Sequence, residues 1–267
     1  LNISPIDVSE TLKENLYQQS QRLIMTSATL TVNNDFQYFT NRLGLVEPVL
    51  LGLPHSFDYR SQAILYIPPR LPEPSQADFL PRAAEEIIQI LEQTRGRAFV
   101  LFTSLKSLDT VHSLLQNRLD YLLLKQGEAS KQALLEKFRE DEHSVLLGAA
   151  SFWEGVDVQG TALSCVILEK LPFASPGEPL VQARIDYLRG QEKNPFMEYQ
   201  IPAAVLNLKQ GLGRLIRSHN DRGVLSILDI RLYTKRYGRL FLKSLPPCRI
   251  SREIKEVEDF LKPGVAL

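Results

Sequence analysis

Apolar positions recur along this chain in two rhythms, one helical and one of short continuous runs. After Ser4 and Pro5, the residues Val8, Leu12 and Leu16 stand at four-residue intervals and predict a helix with a single apolar stripe. "RLIMTSATL" reads as a short strand running into a loop, and "NDFQYFTNRL" as an amphipathic helix stopped by Gly44. Prolines then crowd residues 47–81 around one strand-like run, "QAILYIP", which predicts a linker leading into a new domain.

Alternation dominates from there. "LPRAAEEIIQILEQT" has a helical period and ends at Gly96, and "RAFVLFT" is a buried strand. "SLKSLDTVHSLLQNR" and "SKQALLEKFRED" are helical, with "YLLL" as a short strand between them. "SVLLGA", "ALSCVILEKL" and "GVLSILD" are further strands, the last two each followed by a helix-like stretch. Continuously apolar strands separated by helices predict an α/β fold, a parallel sheet covered by helices on both faces.

Composition changes that picture little. With 44% hydrophobic and 23% charged residues among 267, the chain is neither disordered nor fibrous. Lysine plus arginine equals aspartate plus glutamate at 31 each, so net charge alone gives no reason for a nucleic-acid partner. The distribution is less even: ten basic residues and two acids, Asp221 and Asp229, lie between Ala203 and Arg249. That balance suits a polyphosphate or a nucleic-acid backbone, and it suits a solvated face as well. Cys165 and Cys248 share no ligand spacing with the four histidines, so neither a disulfide framework nor a zinc site is expected. No signal peptide or bilayer-length apolar run is present, and a cytoplasmic setting with no membrane partner is expected. The opening residues lack a methionine and start near a helix, as a piece of a longer chain would.

In open parallel sheets ligands sit beyond the carboxyl ends of the strands, so the chemistry is expected in loops. Thr103 and Ser104, at the end of "AFVLFTS", offer hydroxyls and helix-start N–H groups to a phosphate, or Ser104 is an ordinary N-cap. "SFWEGVDVQG" brings two glycines for close backbone approach together with Glu154 and Asp157, or is a tight turn with a solvated carboxylate. In "QGLGRLIRS", Arg214 and Arg217 stand one helical step apart, so on one side of a helix their planar guanidinium groups would converge on an anion. The plainer reading gives one exposed arginine and one whose stem covers core.

Taken in order, "SATL", "LFTS", "GAASFWEGVDVQG", "KLPFASPGEPL" and "QGLGRLIRSHNDRGVLSILDIRL" resemble the second half of the DinG and XPD-like branch of superfamily 2 helicases. The resemblance runs from about Leu23 to Pro246. It implies a RecA-like parallel β-sheet flanked by helices on both faces, a P-loop NTPase-like fold without its own P-loop. Residues 1–53 would be the end of a first motor domain and a linker, and 54–267 the second RecA-like motor domain.

By the same resemblance Ser27, Ala28 and Thr29 would couple the nucleotide site to domain movement, and Thr103, Ser104 and Ser151 would touch DNA. Glu154, Gly155 and Asp157 would lie where the DNA and nucleotide sites meet. Gln210, Gly213, Arg214 and Arg217 would form the motif whose two arginines reach onto the ATP phosphates.

The sequence departs from the family pattern at a few points. No glycine is followed by lysine, so a Walker A loop is absent, and "REDEH" precedes its strand instead of following one, which makes it a solvated turn and not a magnesium site. ATP and Mg2+ would be bound mainly by a first motor domain outside this sequence, where any iron–sulfur cluster would also belong. Expected partners are single-stranded DNA and that first domain. The competing reading is a catalytically inert RecA-like module that binds nucleic acid or protein.

Overall fold

A computed structural model describes residues 4–20, 22–149, 152 and 163–262. The chain divides into two compact units. One is built from residues 1–54, 172–209 and 240–244, the other from 55–171, 210–239 and 245–267.

The larger unit is organised by seven strands in one sheet: β1 (Ala63–Tyr66), β2 (Ala98–Leu101), β3 (Leu123–Lys125), β4 (Val145–Gly148), β5 (Cys165–Leu168), β6 (Gly223–Ile227) and β7 (Arg249–Ser251). Their order is β3-β4-β2-β5-β6-β1-β7, and every neighbouring pair is parallel. The strands β1, β2, β4, β5 and β6 are buried along their whole length, as continuous apolar runs require when both faces are covered. Ile64, Val100, Leu147, Ile167 and Val224 share one core with the helices Phe79–Thr94, Leu105–Leu115 and Ile254–Leu261. On alternate positions Phe99 turns the other way and meets Phe138 of the helix Lys131–Glu140, ring centres 4.7 Å apart. Cys165 is a buried free thiol in β5.

The run "QAILYIP", expected inside a proline-rich linker, supplies β1, held between β6 and β7. Prolines flank it without entering it, so no ladder donor is lost.

In the smaller unit the first helix begins at Ser9, not beside Pro5, and continues as a wider π-helical turn over Lys13–Tyr17. Val8, Leu12 and Leu16 are half-buried, together with Ser9 and Tyr17. Tyr17 donates its hydroxyl to the Leu43 carbonyl at the end of the helix Gln37–Leu43. Gly44 ends that helix at φ 65°, and a side chain there would also run into Ser9. The strand expected within "RLIMTSATL" does not form: residues 22–27 have no regular structure, and Ile24 is 91% exposed. An apolar run becomes a strand only where a neighbour takes its backbone hydrogen bonds, and none among the described residues does so here.

Candidate functional site

Three carboxyl ends of the sheet form a continuous rim, since β2, β5 and β6 are neighbours. Ser104 follows β2 in an extended conformation, and its hydroxyl accepts from the Ser107 N–H as the N-cap of the helix Leu105–Leu115. The preceding Thr103 donates to Glu169 at 3.5 Å.

Glu169 is the first residue after β5 and has no solvent exposure. Burial holds its carboxyl above the ordinary range, against the pull of Lys170. The Lys170 ammonium stands 3.3 Å from Oε1, a charge contact that leaves this oxygen without a hydrogen bond of good angle. Asp229, two residues beyond β6, is equally buried, accepts from the Leu171 N–H at 2.9 Å, and is held by Arg231. At the far side of the rim, Gln126 accepts from the Ala149 N–H at 2.6 Å, just past β4. Phe152 lies against Gly148, at the end of β4.

The sequence motifs assign no role to Glu169, Asp229 or Arg231. Their signal was an acid placed directly after an apolar strand run, in "VILEK" and "SILDIR".

Arg214 and Arg217 are arranged differently from expectation. The helix Ile201–Leu212 carries Gln210 in its last turn and then stops, so Arg214 lies in the turn that leaves the helix, Arg217 leads into the next turn, and the two share no helical face. Helical continuation would send the Arg217 N–H to the carbonyl of Gly213. The Asp221 carboxylate takes it instead: Oδ2 accepts from the N–H groups of both Arg217 and Ser218 at 2.8 Å, and Oδ1 accepts from the Ser218 hydroxyl at 2.8 Å. From outside the turn, Gln62 Nε2 donates to the carbonyls of Ser218 and Asp221, each at 2.8 Å.

Leu215 and Ile216 are buried, Gly213 is exposed, and both arginines are half-buried. Because Asp221 stands two residues before β6 and Gln62 directly before β1, this turn lies at the amino end of the parallel sheet, opposite Thr103 and Ser104. The structure thus gathers Gln210, Gly213, Arg214 and Arg217 and sets them apart from the rim.

Ser27, Ala28 and Thr29 belong to the smaller unit, where Ser27 Oγ accepts from the Thr29 N–H. Two residues on, Thr31 receives the Lys209 ammonium at its carbonyl, 3.0 Å away. Ser151, Glu154, Gly155 and Asp157 lie outside the described residues. Asp141 in "REDEH" bonds the His143 N–H within a turn leading to β4. Among the described residues no cluster of histidine, cysteine and carboxylate side chains suits a metal, and no helix is long and apolar enough to cross a membrane.

Comparison with known proteins adds to this geometry. Residues 87–248 match the model of the helicase C-terminal domain family. The chain is 43% identical over 262 residues to the ATP-dependent DNA helicase YoaA of Haemophilus influenzae, covering 98% of this chain and 41% of that protein. Against the 3'-5' exonuclease DinG of Bacillus subtilis it is 36% identical, covering 92% of this chain and 28% of the relative. It therefore spans less than half the length of either. Among solved structures, that of apo XPD aligns with a TM-score of 0.69 at 19% identity, over 92% of this chain and 51% of that one. The likeness is one of fold, and the fold is RecA-like.

Proposed function

The chain belongs to the helicase C-terminal domain family, and on that footing we propose that it is the second motor domain of a DinG-like, ATP-dependent DNA helicase. In this reading Arg214 and Arg217 reach the phosphates of an ATP held by a preceding motor domain, with Gln210 and Gly213 shaping their approach. The observation that carries it is the anchored turn: Arg217, permanently charged and half-buried, stands on backbone fixed by Asp221 and Gln62, with the half-buried Arg214 three residues before it.

Phosphoryl transfer calls for positive charge on the departing phosphate, and an arginine supplied from an opposing domain makes that charge depend on closure. Such a residue contributes roughly three to five orders of magnitude in rate. This chain has no phosphate-cradling glycine–lysine loop, so alone it would not hydrolyse ATP, and Mg2+ would be held mainly by the preceding domain. Ser27, Ala28 and Thr29, with Glu154, Gly155 and Asp157, would relay nucleotide state to the DNA track.

Thr103, Ser104 and Ser151 would meet the phosphates of single-stranded DNA. Since Ser104 spends its hydroxyl on the helix cap, its contribution there would come from the backbone. Ile24 and the fully exposed Val49 are apolar surface that a first motor domain would cover.

The test is Arg217→Ala in the full-length protein. DNA-stimulated ATPase should fall by about a thousandfold or more while single-strand affinity holds. Equal loss of both would favour the other reading, a RecA-like module that binds without catalysis.

A further inference from the structure

We infer that Gln62 is a positioning residue for Arg217, acting through the turn that carries it. This rests on the reading that Arg217 meets a nucleotide phosphate. Gln62 ends the one-turn helix Tyr59–Gln62, whose Asp58 cap accepts from the Arg60 N–H. The next residue opens β1, and the register pairing Ala63 with Gly223 sets Gln62 beside the residues that lead into β6. The residue is 7% exposed, and its side-chain amide nitrogen donates to two carbonyls, those of Ser218 and Asp221.

An amide suits this place for a chemical reason. Two acceptors must be satisfied from one buried position, and a primary amide offers two N–H donors without carrying charge. Lysine would bring a charge into a nearly dry site, and an ionised glutamate would face both carbonyls with a third acceptor.

The turn is consequently held from both sides. Gln62 ties its two ends together, and the Asp221 carboxylate takes the N–H groups of Arg217 and Ser218 inside it. Gly223 closes the arrangement, because a Cβ there would press on the Ser164 carbonyl and lie 2.8 Å from the Leu215 side chain. The Arg217 backbone is therefore placed by groups that never approach the phosphate. A guanidinium that must meet a transferring phosphoryl group is sensitive to small errors in that placement, about a hundredfold in rate for roughly 1 Å.

The experiment uses the full-length protein with Gln62→Leu, Gln62→Glu, Arg217→Ala and the double variant Q62L/R217A. Q62L should lower kcat for DNA-stimulated ATPase by about tenfold to a hundredfold, with KM for ATP and single-strand affinity nearly unchanged. Since both changes act through one guanidinium, Q62L/R217A should be no slower than R217A. Q62E should recover relative to wild type as pH falls, because a protonated carboxyl regains one donor. That profile also answers the question if Q62L does not fold.

A Q62L kcat within about twofold of wild type, losses that multiply in the double variant, or a Q62E defect independent of pH would each overturn the inference. Loss of ATPase in R217A with full activity in Q62L would remove this inference alone. Full activity in R217A would remove the functional reading and this inference with it.

Discussion

Arg231 holds both oxygens of Asp229, with Nη2 2.6 Å from Oδ2 and Nε 2.9 Å from Oδ1, at a carboxylate that no solvent reaches. The same carboxylate accepts the Leu171 N–H, so one acid ties the chain beyond β6 to the chain beyond β5. Asp229→Ala takes a buried carboxylate away from the Arg231 guanidinium and from the N–H groups of Leu171 and Arg231, and should cost about 3–5 kcal/mol. A urea titration that shows a fall in the unfolding midpoint at unchanged slope would register it. Arg231→Lys keeps the charge but loses the fork, so it too should lower the midpoint, by less.

Gly223→Ala adds one methyl group where β6 begins, directly against the Ser164 carbonyl. The Leu215 side chain at 2.8 Å could swing away, but the carbonyl belongs to the approach to β5 and cannot. The expected cost is about 2–3 kcal/mol or more, read as a lower melting temperature. ATPase of the full-length variant should fall as well, since the turn that carries Arg217 leads into β6 at this residue.

Glu169 gives stability a dependence on pH of unusual sign. Burial raises its folded-state value above the unfolded one, so the native chain keeps a proton that the unfolded chain has released. The contribution is complete below the unfolded glutamate value of about 4.3 and is lost as pH rises through the raised native value. The charged and polar groups facing it are Lys170, Thr103 and Ser107. Glu169→Gln fixes the neutral form, so its urea midpoint relative to wild type should improve from pH 4 upward. A difference that stays flat, or turns the other way, would contradict the assignment.

The parts legible in the sequence are those where one physical signal dominates. β2, β4, β5 and β6 stand out because each is a nearly unbroken apolar run, Ser226 the one polar residue among them, as a doubly covered strand is. Ser104 reads as a helix cap and is one. β7 was invisible, because three residues at a sheet edge, with Ile250 half exposed, have no period to detect. Spacing suggested that Arg214 and Arg217 ride one helix, yet a carboxylate four residues beyond Arg217 captures the N–H that a helix needs. "RLIM" failed in the opposite sense, its pattern being right for a strand whose partner is not supplied within these residues. Strand order could not be read at all, since apolarity says that a strand is buried and not beside which neighbour.

That order has a consequence for how the polypeptide is made. β1 leaves the ribosome before the other strands of this sheet, but Ala63 must wait for Gly223 and Ile64 for Arg249 before either flank is paired. Loop closure over such separations comes late, so a nascent or truncated chain ending before β6 exposes an unpaired apolar ribbon to whatever surrounds it. The strand held between β6 and β7 in the finished sheet is thus the one most in need of chaperoning during synthesis.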